Sequence, residues 1–417
     1  MNLGLSLGIN ALRSAVAAAV EFVMSGIFPD ERARLNDQSH LASVSGPVTA
    51  IPGGFTVGNS GVATFNLPST LTGAYWISTL YSANVVNSYR PGTLPTAYNP
   101  EALRSRGWRQ TWDFPAIVSA TQIRLIGGGT HNGELKQMQI VDMAATLAQP
   151  ADVWIAFWQS NMAATTQCVT VDMAQDDWTD KRLLYFPGAA NTAHGTVLGK
   201  ITALRAPMQM QSNTAEALTA NMISFGVSPA VAFAKGILPS VAAGRNLVII
   251  GAAVSGTGIE GATAPWKPDS SNPFAYNHMM SLVAQAMAAL PAGSVIKGMI
   301  GAGGEADTSA DMSTHSAAVE LMLSTASAAW ITAGYCATRP PCVLVGPPPD
   351  ASRANQAVLV DCHAKLDKFS GHATSLANVH VAATGPWGMD DSTHRTAAAA
   401  RLAGAAAASL AIARGLV

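Results

Sequence analysis

The pattern of apolar and polar positions along this chain changes period twice. Over residues 1–28 the apolar positions recur at helical spacing, with Leu12, Val16, Val20 and Val23 on one face. From about Pro47 to Val141 they alternate in short runs, such as Phe55-Thr-Val and Val62-Ala-Thr-Phe-Asn-Leu, punctuated by Gly53-Gly54, Gly58-Asn59, Pro91-Gly92 and Gly127-Gly128-Gly129. Alternation broken by turn residues predicts a small antiparallel β-domain. Beyond residue 145 the apolar runs become unbroken, at 153–158, 247–253, 295–301, 342–346 and 379–382. Helical stretches separate them near 214–238, 275–290, 314–334, 351–369 and 395–414. Strands apolar on both faces that alternate with helices predict a parallel sheet covered on both sides, joined by right-handed crossovers. The expected division is residues 1–45 for an N-terminal helix and linker, 46–145 for the β-domain, and 146–417 for an α/β domain. Residues 165–212 read as a long irregular insertion, of the kind that walls a binding site.

The first unbroken run ends abruptly at Gln159, Ser160 and Asn161. Functional groups of open α/β sheets sit just beyond the carboxyl ends of the strands, so a nucleophile would stand at Ser160. Serines there more often cap the next helix. The pattern alone leaves both roles open. Far downstream, Asp391-Ser392-Thr393-His394 precedes an Ala-rich final run. A serine hydroxyl needs a base, and the base needs a third group to orient it. A carboxylate three residues before a histidine can reach that ring, although Asp391 could equally cap the last helix.

Taken together, these segments resemble the SGNH hydrolases, and more narrowly their sialate O-acetylesterase-type branch of carbohydrate acetylesterases. That branch usually reads Gly-Gln-Ser-Asn-Met at the nucleophile, where this chain has Trp158-Gln159-Ser160-Asn161-Met162. Its second block is echoed by Gly226-Val-Ser-Pro-Ala and by Ser255-Gly256-Thr257-Gly258-Ile259, its third by Gly303-Gly304-Glu305-Ala306-Asp307, and its closing Asp-x-x-His by Asp391 and His394. The resemblance covers roughly residues 145–417. It implies a flavodoxin-like three-layer α/β fold in which Ser160 attacks, His394 is the base and Asp391 orients it. Backbone N–H groups at Ser160 and Gly256 would hold the oxyanion, while Gln159, Gly303, Glu305 and Asp307 support the site. Glu305 and Asp307 are expected to hydrogen-bond loop backbone.

Two positions depart from that pattern. Trp158 replaces the usual glycine, and Gly303 replaces a glutamine whose amide helps bind the oxyanion in the family. One such donor is worth about a hundred- to a thousandfold in rate. Either Asn161 or a backbone N–H near Gly303 is expected to fill the gap or the enzyme to be slow, and Gly303→Gln to raise turnover if the hole is short of a donor and the pocket has room.

Composition narrows the remaining choices. Charged residues make up only 12% of the 417, against 49% hydrophobic, with a net charge of -1. Ordinary soluble proteins carry about 25% charge. A surface so poor in charge suggests coverage by self-association or by a larger assembly. Nothing in it fits a nucleic-acid partner. His194, His278, His315, His363, His372 and His380 lack metal-site spacing, and no phosphate-binding glycine motif occurs, so neither metal nor cofactor is expected. Of Cys168, Cys336, Cys342 and Cys362, Cys336 and Cys342 flank a Pro-Pro turn and could pair outside the cell, though buried free thiols are favoured. The first 28 residues lack the basic start of a signal peptide and are too interrupted to span a bilayer, which leaves an amphipathic helix for docking on a partner or a second copy. Tyr75, Trp76, Tyr81, Tyr89, Trp108 and Trp112, with Arg104, Arg106 and Arg109 nearby, suit either core packing or sugar stacking.

The expectation is therefore a serine esterase that removes O-acetyl groups from a polysaccharide or glycan. It would act at a virion or extracellular surface, as part of a tail or spike assembly. The alternative is a structural or adhesin subunit on a degenerate hydrolase fold.

Overall fold

The computed structural model describes seven strands between residues 41 and 142. Beyond them it describes residues 143–164, 180–189, 199–204, 226–261, 263–307, 312–352 and 356–417, with the single residues 206, 208 and 210. The helix expected over residues 1–28 lies outside the described residues. The chain forms two compact units, one comprising Met1–Thr146 and Thr192–Thr196 and one comprising Leu147–Asn191 and Val197–Val417.

In the first unit, β1 (Leu41–Ser45), β2 (Val48–Ile51), β3 (Gly54–Val57), β4 (Val62–Tyr81), β5 (Val86–Tyr89), β6 (Arg109–Gly128) and β7 (Gly133–Asp142) make one antiparallel sheet. Its order is β2-β3-β7-β4-β6-β5, with β1 on β4. Two expectations change here. Leu41–Ser45, read as linker, is a strand, and the short alternating runs merge into two strands, β4 and β6, of 20 residues each. The bulges that re-register β4 on β6 after Asn66 and Tyr75 hide this length from a period-2 reading. Tyr75, Trp76 and Tyr81 lie on β4, Tyr89 on β5, and Arg109 and Trp112 on β6. Trp108, Arg104 and Arg106 lie outside the described residues.

The second unit is a seven-stranded, mostly parallel sheet with helices on both sides. Its strands are β8 (Ala151–Trp158), β9 (Leu183–Phe186), β10 (Thr202–Ala203), β11 (Asn246–Gly251), β12 (Val295–Ala302), β13 (Cys342–Val345) and β14 (Val379–Ala382), in the order β10-β9-β11-β8-β12-β13-β14. Only β10 runs antiparallel, on β9. These two strands correct the reading of 165–212 as irregular throughout. Four apolar residues between Arg182 and Pro187 are too short a run to show a period, yet all four of β9 are buried. The helices are α1 (Ser160–Ala163), α2 (Pro229–Ile237), α3 (Phe274–Ala289), α4 (Met312–Thr332), α5 (Gln356–Leu366) and α6 (Ala397–Ala413). Residues 211–225, where the sequence predicts the start of α2, lie outside the described residues.

Strand β8 is buried along its whole length and pairs with β11 on one side and β12 on the other. The chain leaves β8 for β9 and β11, then returns past it to β12, so β8 stands where the strand order reverses. A crevice opens at such a switch point. The aromatics of β8 fit because β12 carries glycine opposite them. Gly298 is the register partner of Trp154 and Gly301 that of Phe157. A Cβ on either would meet the facing ring at 2.5–2.6 Å, closer than real Cβ atoms come. Across the sheet face, Trp154 packs edge-on against Phe233 of α2, with centroids 4.8 Å apart. Helix α2 starts on the Ser228 side-chain cap and α6 on that of Thr396. The Ala-rich α6 then lies close on α2, where Gly236 faces Ala408 and Gly404 faces the Pro229 carbonyl. Cys336, Cys342 and Cys362 are buried free thiols, and Cys168 lies outside the described residues.

Candidate active site

At the end of β8 the chain makes one helical turn. The Met162 and Ala163 N–H groups donate to the Gln159 carbonyl at 3.0 and 2.9 Å, and Ala164, left-handed at φ 50°, donates to the Ser160 carbonyl. The N–H groups that open such a turn have no acceptor within it. Ser160 is therefore the second residue beyond β8 and the first of this turn.

The segment after β14 brings the other two groups. Asp391 Oδ1 accepts from the N–H groups of Thr393 and His394 at 2.7 and 2.8 Å, which folds the tetrapeptide into a tight turn. Its Oδ2 lies 2.7 Å from His394 Nδ1, and His394 Nε2 lies 2.8 Å from Ser160 Oγ. A carboxylate only accepts, so the proton sits on Nδ1 and Nε2 accepts from the Ser160 hydroxyl. Burial acts to raise the Asp391 carboxyl. The bonds from the His394 ring and the two backbone N–H groups outweigh it and hold the group below the usual carboxylate range. In this arrangement the serine proton can pass to a neutral imidazole whose cationic form a neighbouring carboxylate stabilises.

Asn161 was expected to help bind an oxyanion, and the structure gives it other work. Its amide nitrogen donates to Glu305 Oε1 at 2.7 Å and to the Thr393 carbonyl at 3.1 Å, while its oxygen accepts from Arg395 N–H at 3.2 Å. Both amide hydrogens are committed. Asn161 ties the Ser160 turn to the His394 segment. Glu305 likewise meets a side chain where a backbone partner was expected, because Asn161 reaches it first. Asp307 does bond backbone: its Oδ1 accepts from Ile259 and Glu260 N–H at 2.7 and 3.0 Å, holding the loop that follows Gly256. Gln159 Oε1 accepts from Ala306 N–H at 3.1 Å, and Gln159 N–H donates to the Ala302 carbonyl. Gly256 occupies a turn at φ 71°, pinned by Thr257 Oγ1 on the Val254 carbonyl and by Trp266 Nε1 on Thr257 Oγ1.

Two buried histidines beneath the site, read from the sequence only as lacking metal-site spacing, gather around Trp158. The rings of Trp158, His315 and His363 cluster with centroids 5.3 to 5.9 Å apart. His315 Nδ1 lies 2.9 Å from Glu260 Oε1 and 4.0 Å from Asp307 Oδ2. Burial raises the Asp307 carboxyl to about 6, against the opposing pull of His315 and the two backbone donors. Burial, with His315 and Arg395 nearby, drops His363 well below the ordinary imidazole range. Arg395 is itself buried, donating to the Gly346 carbonyl. Sequence signals for this cluster were weak, since scattered histidines carry no fixed spacing.

The two departures from the family pattern meet physically. Trp158 has φ 92°, a left-handed conformation that suits the glycine usual there and costs a bulky residue about 1–3 kcal/mol. Its indole lies over Gly303, where a Cβ would come within 2.5 and 2.7 Å of Cδ1 and Cδ2 and closer still to Cγ. The room on which a gain from Gly303→Gln depends is absent. Among the described residues no group of three or more His, Cys, Asp or Glu could hold a metal, and no helix is long and apolar enough to cross a membrane.

Residues 150–326 match the family of carbohydrate esterases, sialic acid-specific acetylesterases. This match supports a hydrolase acting on carbohydrate esters. No curated protein matches the chain. Among solved structures, the chain is similar to a protein from Arabidopsis thaliana at 20% identity and TM-score 0.43, covering 63% of this chain and 98% of that one. It is similar to the protein NanS at 14% and 0.47, covering 64% and 99%. A carbohydrate acetylesterase from Xanthomonas citri is similar at 15% and 0.37, covering 85% and 72%.

Proposed function

We propose that the second unit is a serine esterase that removes O-acetyl groups from a glycan. The observation that carries this reading is the unbroken chain Ser160 Oγ, His394 Nε2, His394 Nδ1, Asp391 Oδ2, with contacts of 2.8 and 2.7 Å. Ser160 Oγ attacks the acetyl carbonyl as its proton moves to His394, and the imidazolium is held by Asp391. The sugar oxygen leaves, taking that proton, and the acetyl group stays on Ser160. Water then attacks the acetyl-enzyme with His394 again accepting the proton, and acetate departs. The family match over 150–326 supports a carbohydrate ester as substrate class.

Acetate release from p-nitrophenyl acetate and from an acetylated polysaccharide tests this. Ser160→Ala should lower kcat on the order of a millionfold and leave the melting temperature almost unchanged. Equal release by the two proteins would remove Ser160 as nucleophile. The surface-assembly role rests on the 12% charge content. Sedimentation of the full chain tests it, and a monomer at micromolar concentration would argue against self-association.

A further inference from the structure

We propose that Trp158 is the positioning residue of the oxyanion site. By filling the room that a side chain at Gly303 would need, its indole holds the Trp158-Gln159-Ser160 backbone in place, so the two positions act as one unit. The inference rests on the acyl-transfer reading above.

Within the ladder of β8 on β12, the pairs Trp154/Gly298 and Phe157/Gly301 are register partners and serve packing. At the tip the relation changes. Trp158 is paired with Ala302, yet its ring lies over the next residue, Gly303. That reach goes with φ 92° at Trp158, two residues before the nucleophile. The segment is clamped on both sides. The Trp158 carbonyl accepts from Val254 N–H at 2.8 Å, and Gln159 N–H donates to the Ala302 carbonyl at 3.1 Å. Beneath it, Gly304 at φ 101° leaves space for His363, whose ring stacks on the indole at 5.3 Å.

Three other ways of supplying an oxyanion donor are closed, while Gln159 Nε2, beside Ser160, is buried without a hydrogen-bond partner. Trp158 Nε1 is buried with no hydrogen-bond partner, so the indole acts by its volume. Both Asn161 amide hydrogens are committed to Glu305 and Thr393. Gly303 has no side chain. Main-chain N–H groups and the Gln159 amide remain, and the direction of both depends on the dihedrals of residues 158 to 160. A residue that fixes those dihedrals acts on the charge that develops in the transition state more than on substrate binding. It should appear in kcat and not in KM.

The test is a cycle of four proteins: the unmodified chain, Trp158→Gly, Gly303→Gln and the double variant, each measured for kcat, KM and melting temperature. Trp158→Gly should lower kcat by about a hundredfold, the cost of a small misplacement at a reacting centre, with little change in KM. Trp158→Phe, which keeps an aromatic ring there, should recover most of the loss. Gly303→Gln alone should lose turnover and melt earlier, since its side chain meets the indole. The double variant should exceed the product of the single effects by at least about tenfold. Should Trp158→Gly not fold, Gly303→Ala, a single methyl group pressed on the indole, must still lower kcat. Unchanged kcat in folded Trp158→Gly or Gly303→Ala, or single effects that simply multiply, overturns the proposal. Absence of Ser160-dependent hydrolysis by the unmodified chain overturns instead the esterase reading on which it rests.

Discussion

The two halves of the site are built by opposite means. Ser160 stands on a turn whose neighbours are bolted to the sheet: Gln159 to Ala302 and Ala306, and Trp158 to Val254. Gln159, Ser160 and Asn161 are all buried. Asp391 and His394 sit on a segment that is exposed at Asp391 and Ser392 and half-buried at Thr393 and His394, and its shape comes from bonds two and three residues long, Asp391 to Thr393 N–H and to His394 N–H. Ser160 is thus placed by tertiary packing and His394 by local hydrogen bonding. Substitutions should separate accordingly. Changes at the base should cost turnover with little cost in stability, and changes to the side chains that anchor the Ser160 turn, as distinct from Ser160 itself, should cost both.

Asp391→Asn is the severest test of this contrast. The amide oxygen can still accept from Thr393 and His394 N–H, so the turn survives. What goes is the negative charge beside the imidazolium and the acceptor that fixes the ring tautomer. The expected loss in kcat is about ten-thousandfold, with the melting temperature nearly unchanged. A large fall in melting temperature would show that the base segment is integral to the core, and the contrast would fail.

Asn161→Ala probes a side chain that joins the halves apart from the Ser160–His394 contact. It strips partners from Glu305 Oε1, the Thr393 carbonyl and the Arg395 N–H, of which Glu305 and Arg395 are buried. Leaving buried polar groups unpaired costs about 1–3 kcal/mol each, so thermal unfolding should move down clearly. Activity should fall too, as the base segment loses its tie to the nucleophile turn. A stable variant with normal kcat would mean that Asp391 and His394 need no anchor beyond their own turn.

The different origins of the two halves also explain what could be read from the sequence. Asp391 and His394 are three residues apart, so their pairing is local and the motif states it. Ser160 ends an unbroken apolar run, which marks a strand tip wherever the strand sits. The role of Asn161 was not legible, because its partners Glu305 and Thr393 lie 144 and 232 residues away. The fit of Trp158 over Gly303 was hidden for the same reason. Each looked like a separate defect until the register of β8 on β12 brought them together. Strands β8, β11, β12, β13 and β14 were legible because burial on both faces leaves continuous apolar runs. Strand β9 was missed because four residues carry too little pattern.

The two halves each hold a carboxylate, and pH should act on them in opposite directions. Burial raises Asp307, on the nucleophile side, to about 6 from the usual value near 3.8. The folded state therefore disfavours its ionised form. Its contribution to stability is fully present below pH of about 4 and is lost as pH rises through about 6. Asp391, on the base segment, is lowered by hydrogen bonds that outweigh burial. Its contribution is present above the usual carboxylate range and is lost as pH falls through its own lowered value. Melting temperatures of the unmodified chain, Asp307→Asn and Asp391→Asn between about pH 3 and 7 separate the two, since the difference from the unmodified chain cancels other titrations. Relative to it, Asp307→Asn should gain stability as pH rises from about 4 to 7, by on the order of 2 to 3 kcal/mol if the full shift is realised. Asp391→Asn should lose ground as pH rises from about 3 to 5, and by less, because that side chain is 42% exposed and screened by solvent. Parallel pH curves for Asp307→Asn and the unmodified chain would show that water or the His315 charge already stabilises the Asp307 anion, and that burial does not dominate beneath the nucleophile.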